Sequence, residues 1–133
     1  MMGGSPRGDA WPAEPVHLSE KLEMFTDHWS PRVVGALNGQ LVKLAKLQGE
    51  FVWHAHEHED ELFLVIHGEL LVRLRNRDVM VRQGEFFIVP RGVEHCPVAQ
   101  EECHVLLFEP AQTAHTGDVA TDRTVAVQDQ PRV

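Results

Sequence analysis

The chain has 133 residues, 20 acidic against 12 basic for a formal charge of −8, and 43% of it is hydrophobic. That length is one domain by the usual span of ~100–200 residues, and the acidic balance argues against a phosphate-backbone partner, so no nucleic acid is expected. No stretch approaches the ~20 apolar residues of a membrane span and the first residues lack the apolar core of a signal peptide, so the expectation is a cytoplasmic protein with no membrane partner.

Residues 1–15, rich in Gly, Pro and small polar residues without a hydrophobic period, read as a flexible N-terminal arm. Leu18, Leu22, Phe25 and Trp29 then recur at helical intervals. With Ser19 as N-cap and Ser30-Pro31 as the stop, they predict a short amphipathic helix whose apolar stripe covers part of the fold or a partner subunit.

From Val33 the pattern is strands and turns. A strand over Val33 to Leu37 meets Asn38-Gly39, a strong hairpin signal, and a second strand runs to about Gln48. Turn signals at Gly49, Gly68, Asn76-Arg77-Asp78, Gly84 and Pro90-Arg91-Gly92 leave strands near 51–56, 61–67, 70–75, 79–82, 85–89, 94–99 and 103–109. Regular short strands with no intervening helix predict an all-β, antiparallel sandwich or barrel. In the strand from Glu61, Phe63, Val65 and His67 share the face of Glu61, while Leu62, Leu64 and Ile66 take the other. Both faces are largely apolar, so the strand is expected to be covered twice, most economically by a homodimer over the outer face. Past Pro110 the chain turns polar, with a turn at Thr116-Gly117-Asp118 and at most a short edge strand over Thr124 to Val127. The expected organisation is an arm at 1–15, a single domain at 16–112 including the helix, and a polar tail at 113–133.

The chemistry concentrates in His54-Ala55-His56-Glu57-His58-Glu59-Asp60-Glu61. In an extended strand residues i and i+2 point the same way, so His54 and His56 can converge on one ion. Glu61 stands an odd number of positions past His56, and a turn at 57–60 would return it to the same face. A second stretch runs from Gly84 to Pro90-Arg91-Gly92-Val93-Glu94-His95, where Pro and Gly mark a tight turn and His95 follows it. Together these residues resemble the two motifs of the cupin family, H-x-H-x4-E-x6-G and G-x5-P-x-G-x2-H. The second motif matches in full up to its histidine. The first departs in having four residues, not five, between Gly49 and His54, and Ala99 stands where the family often has Asn.

The resemblance implies a cupin-type, jelly-roll-like β-barrel in which His54, His56, Glu61 and His95 hold one divalent transition metal per chain. Three imidazoles and a carboxylate suit iron, manganese, nickel, cobalt, copper or zinc, whereas magnesium and calcium prefer all-oxygen shells. The implied function is a metal-dependent enzyme acting on a small molecule. The alternatives are an iron-dependent dioxygenase or a non-catalytic small-molecule binder; a sugar-phosphate isomerase role is disfavoured because no phosphate-binding cluster is visible. The ion is expected to keep a coordination position open beside a cavity shaped by Phe63 and Val65.

Other residues read more plainly. His58 is expected to be a solvated turn residue, His67 to sit at a strand end, and His17, His28, His104 and His115 to lack ligand spacing. Lys43 and Lys46 fall on opposite strand faces and read as solvated, though one could point inward toward an anionic substrate. Cys96 and Cys103 are too few for a disulfide scaffold and read as packed thiols, while Phe51, Trp53, Phe63, Phe86, Phe87 and Phe108 read as core.

Overall fold

The computed structural model describes residue 11 and residues 13–111 and 130–133. Most of the expected arm and tail, with the turn at Thr116-Gly117-Asp118, His115 and the strand over Thr124 to Val127, lies outside the described residues. One helix, α1 (Leu18–Leu22), precedes seven strands: β1 (Arg32–Leu37), β2 (Gln40–Glu50), β3 (Glu61–His67), β4 (Glu69–Leu74), β5 (Asp78–Arg82), β6 (Phe86–Val89) and β7 (His95–Pro110). Among the described residues no helix is long and apolar enough to cross a membrane.

Every pairing between these strands is antiparallel. One ladder runs β1-β2-β7-β3-β6, and β4 joins it by pairing with β7 on one side and β5 on the other. The ladder does not close into a ring. β7 carries most of the pairing: over its 16 residues it pairs with β4 at its start, with β3 toward its end and with β2 along most of its length. The sheet therefore curves around its core as an open jelly-roll-like sandwich, and the sequence's two strands at 94–99 and 103–109 are one.

Local chemistry explains most turns. Asn38 and Gly39 both have positive φ, 50° and 76°, as a two-residue hairpin loop requires, and Leu37 pairs directly with Gln40. At Gly49 the chain does not turn as its glycine suggested. β2 runs through to Glu50 with a register break between Leu47 and Gly49, so the residue marks a bulge. The predicted strand over 51–56 reduces to a single bridge, His54 opposite His95.

The helix is shorter than its apolar spacing predicted. It ends at Leu22, with His17 and not Ser19 at the N-cap. Leu22 and Phe25 still bury together against Val34 and Leu44, so the spacing tracked burial without requiring a continuous helix. Trp29 leaves that cluster for the main core between the layers, which holds Ala45, Leu47, Phe51, Phe63, Val65, Val72, Val105 and Leu107. At the other end of the described chain, Arg132 pairs in parallel with Val33, and the Val133 amide donates to the Val33 carbonyl at 3.0 Å.

The outer face of β3 divides in two. Ile66 packs against the cluster built around Leu22 and Phe25, so the chain covers it by itself. Leu62 and Leu64 pair with Ile88 and Phe86, which are 46% and 62% exposed, so Phe86 is surface and not core.

Candidate metal centre

Two backbone devices bring the four predicted residues together. His54 and His95 exchange amide-to-carbonyl hydrogen bonds at 3.0 and 2.9 Å, which sets their side chains abreast. The Pro90–Val93 turn, with Gly92 at φ 77°, is tied to the other half of the site by the Gly92 amide donating to the His56 carbonyl at 2.8 Å. The chain bends at 57–58, and the Arg91 amide donates to the Asp60 carboxylate at 2.9 Å, so Glu61 enters β3 already aimed inward.

One ligand-capable atom from each of His54, His56, Glu61 and His95 lies within 4.8 Å of the others, and all four residues are buried. The hydrogen bonding leaves this cluster short of positive charge. The Nδ1–H groups of His54 and His95 donate to the carbonyls of Val52 and Val93 at 2.9 and 3.0 Å. A carbonyl only accepts, so in the neutral rings the Nε2 atoms carry lone pairs. His95 Nε2 then faces Glu61 Oε1 at 3.2 Å, acceptor to acceptor, and His56 Nε2 approaches the same oxygen at 3.1 Å. His54 Nε2 is buried with no hydrogen-bond partner. Lone pairs converging in a buried space require either protons or a cation among them, and this donor set suits a divalent transition metal.

The same competition appears in the proton affinities. Burial, followed by the neighbouring His95, pushes His54 down to about 4. Burial opposes protonation of His56 too, but the hydrogen bond and charge of Glu61 outweigh it and raise the imidazole. Burial would raise Glu61, yet the adjoining imidazoles of His56 and His95 hold it below the ordinary carboxylate range.

Beside the cluster lies a small apolar cavity of about 30 Å³, lined among others by Trp29, Phe51, His54, Glu61, Phe63 and Leu107. That is space for two or three waters, at roughly 10–15 Å³ each. Phe63 borders it as expected; Val65 does not, and packs instead in the core beyond.

Lys43 corrects the sequence reading most sharply. It is fully buried, and its Nζ stands 2.9 Å from Oε1 of the equally buried Glu109. The two are diagonal neighbours on the β2–β7 ladder, where Leu41 pairs Glu109 and Lys43 pairs Leu107. Burial and the charge of Glu61 raise Glu109, while Lys43 opposes the shift. Glu109 went unnoticed as a site neighbour; its parity with Val105 and Leu107, two core residues on β7, was the available signal. Lys46 is also buried, not solvated, and donates to the Phe25 carbonyl at 2.7 Å.

The remaining residues sort by contact. His58 is 81% exposed in its side chain and stands apart from the cluster, a solvated turn residue. His28 and His104 each hydrogen-bond one oxygen of Glu102 at 2.8 Å, a pairing that lack of ligand spacing did not reveal. Trp53, read as core, is only partly buried and lies under the Arg75 guanidinium at 3.8 Å. Cys96 and Cys103 are buried, free and outside the cluster.

An open antiparallel sandwich with an inward cluster of three histidines and one glutamate is a small β-domain able to hold a divalent cation. The chain belongs to the cupin family: the cupin-domain model matches residues 40–109 of the 133. Among solved structures, a cupin-2 domain containing protein from Shewanella frigidimarina is 42% identical with a TM-score of 0.71, over 71% of this chain and 93% of that one. The Bacillus subtilis protein YdbB is 35% identical over 63 residues, 47% of this chain and 56% of YdbB. The 3-hydroxyanthranilate 3,4-dioxygenase of Bos taurus is 43% identical over 49 residues, 34% of this chain and 17% of the enzyme. The chain thus spans only part of the length of either curated relative.

Proposed function

We infer that the chain is a metal-dependent enzyme acting on a small molecule, with His54, His56, Glu61 and His95 holding one divalent transition metal. The observation that carries this is the orphaned, buried His54 Nε2 beside two Nε2 atoms crowded on one Glu61 oxygen, at the wall of an apolar cavity. When bound, such an ion supplies Lewis-acid or redox chemistry to a molecule entering the cavity. The protein's own part is to fix the imidazoles through Val52 and Val93, to set a carboxylate among them, and to keep the surroundings dry with Phe51, Phe63 and Leu107.

A dioxygenase using iron is the favoured reaction class. Its support is the partial similarity to an enzyme named for that reaction, together with an apolar cavity next to the cluster. A non-catalytic binder is the alternative; a sugar-phosphate isomerase is disfavoured, because the buried lysines are already engaged, Lys43 by Glu109 and Lys46 by the Phe25 carbonyl. The two buried free thiols fit a reducing, cytoplasmic setting. A second copy of the chain is the partner proposed for the uncovered strip of Leu62, Leu64, Phe86 and Ile88.

The test is oxygen uptake by the iron-loaded protein across a panel of small aromatic and diketone compounds. Turnover with iron and none with zinc supports the dioxygenase; no uptake with any compound leaves the binder as the better account.

A further inference from the structure

Lys43 and Glu109 are buried charges that the four-residue cluster leaves unused, and strand register sets where they stand. β3 pairs with β7 through Leu62 with Phe108 and Phe63 with Leu107, so one step further along the same register Glu61 comes opposite Glu109. On the other side of β7, Leu41 pairs with Glu109 and Lys43 with Leu107. Glu61, Glu109 and Lys43 therefore form a buried row across three neighbouring strands, β3, β7 and β2, with Glu109 in the middle. Contact along the row is direct at both ends. Lys43 Nζ lies 2.9 Å from Glu109 Oε1, and after burial it is the charge of Glu61 that does most to raise the Glu109 carboxyl.

The pair is poorly made for stability. Although Nζ and Oε1 are at ion-pair distance, Nζ and both Glu109 oxygens are buried without a hydrogen bond. Lys46 supplies the contrast: it is buried too, but its ammonium donates to the Phe25 carbonyl at 2.7 Å. A buried ion pair stabilises no better than two apolar side chains of similar volume, and unsatisfied polar groups add to its cost. What the pair supplies that apolar side chains cannot is a field, with its negative end toward Glu61.

A divalent ion held by three neutral imidazoles and one carboxylate keeps one net positive charge, and the cluster that would carry it is buried. Among the described residues the buried acidic side chains are Glu61 and Glu109 alone. We propose that Glu109 is the outer counter-charge of the metal centre, acting through Glu61 without touching the ion, and that Lys43 is the fixed cation that allows a second carboxylate to be buried beside Glu61. This rests on the reading of the cluster as a metal centre. It adds a positioning pair that decides how much positive charge the centre favours: a trivalent ion gains more from Glu109 than a divalent one, because the attraction scales with the charge of the ion.

The test uses the full chain as wild type, as Glu109→Gln, and as the double variant Lys43→Met with Glu109→Gln. Cobalt(II) affinity is measured by competition with a chromophoric chelator, together with the cobalt absorption bands and, on iron-loaded samples, the iron(III)/iron(II) potential. Glu109→Gln, which leaves the Lys43 ammonium unopposed beside the centre, is expected to bind cobalt at least tenfold more weakly with its bands unshifted, since the four ligands are unchanged. The double variant, which removes that ammonium as well, is expected to bind more tightly than Glu109→Gln and more weakly than wild type. The iron potential of Glu109→Gln is expected to rise by about 59 mV or more, a tenfold loss of iron(III) relative to iron(II). A merely structural role would shift the bands along with the affinity and would give the potential no set direction. A smaller loss of cobalt affinity, shifted bands, or an unchanged or lowered potential overturns the proposal. If Glu109→Gln does not fold, the double variant decides: binding as tight as wild type overturns the proposal, and weaker binding with unshifted bands and a raised potential upholds it. Wild type that binds no ion overturns the metal centre and this role with it, whereas one ion per chain held equally by wild type and Glu109→Gln removes this role alone.

Discussion

At the scale of single residues, the buried lysines are each engaged, Lys43 by Glu109 and Lys46 by the Phe25 carbonyl. Lys43 and Glu109 are both fully buried, so removing one leaves the other uncompensated, which typically costs about 3–5 kcal/mol. Lys43→Ala is therefore expected to lower the urea midpoint steeply, and the double variant Lys43→Met with Glu109→Leu to recover most of the loss. A single variant as stable as wild type would show that the pair carries no charge inside the protein. Burial also pushes the Cys103 thiol up to about 12, and burial followed by the charge of Glu50 raises Cys96. Because the thiolate is the nucleophile, neither should react with a thiol reagent at pH 8 until urea unfolds the protein. His56 also holds its proton more tightly than usual. His56 is raised by Glu61, so in the metal-free protein it keeps its proton to higher pH than a free imidazole. Metal must displace that proton; affinity by competition titration is expected to fall as pH is lowered through this range and to recover as it rises.

At the scale of elements, what was legible depended on whether local chemistry alone decided the outcome. Asn38-Gly39 and Pro90-Arg91-Gly92 determine their turns by backbone preference, and both formed where the sequence placed them. The helix and the 51–56 strand depended on neighbours distant in sequence. Phe25 and Trp29 share a helical period but bury in different clusters, and His54 pairs with His95 for a single bridge. Gly68 shows how a turn signal can also carry packing. It has φ 86°, and a Cβ there would stand 3.0 Å from the Glu102 carbonyl oxygen and 3.3 Å from Cys103 Cα. Gly84 has nearly the same φ, 83°, with nothing within 4 Å. Alanine at either pays the left-handed cost of about 1–2 kcal/mol, and Gly68→Ala should lose measurably more in urea denaturation because backbone must also shift. Equal losses would mean that the strand ends at Gly68 are loose.

At the scale of the whole molecule, the clustering of His54, His56, Glu61 and His95 was legible because spacing, turn and strand parity all converge on one interior. The places of Glu109 and Trp29 were not, because they come from the pairing of β7 with β2 and from a connection whose path no local pattern encodes. The apolar strip opposite the site sets the expectation for assembly. Leu62, Leu64, Phe86 and Ile88 lie in register on one face, and a stable pairing of copies buries about 800 Å² per partner. Sedimentation at micromolar concentration should give a dimer, and Phe86→Lys with Ile88→Lys a monomer; wild-type monomer removes the strip as an interface. The central claim is that the buried cluster binds a metal ion, and equilibrium dialysis of the metal-free protein against zinc or iron(II) tests it most directly. The account predicts one ion per chain in wild type, weaker binding in Glu61→Gln, and loss of binding in His54→Ala, His56→Ala and His95→Ala variants that keep their β-sheet circular dichroism. No bound ion in the folded wild type, or one ion per chain in all three histidine variants, would contradict it.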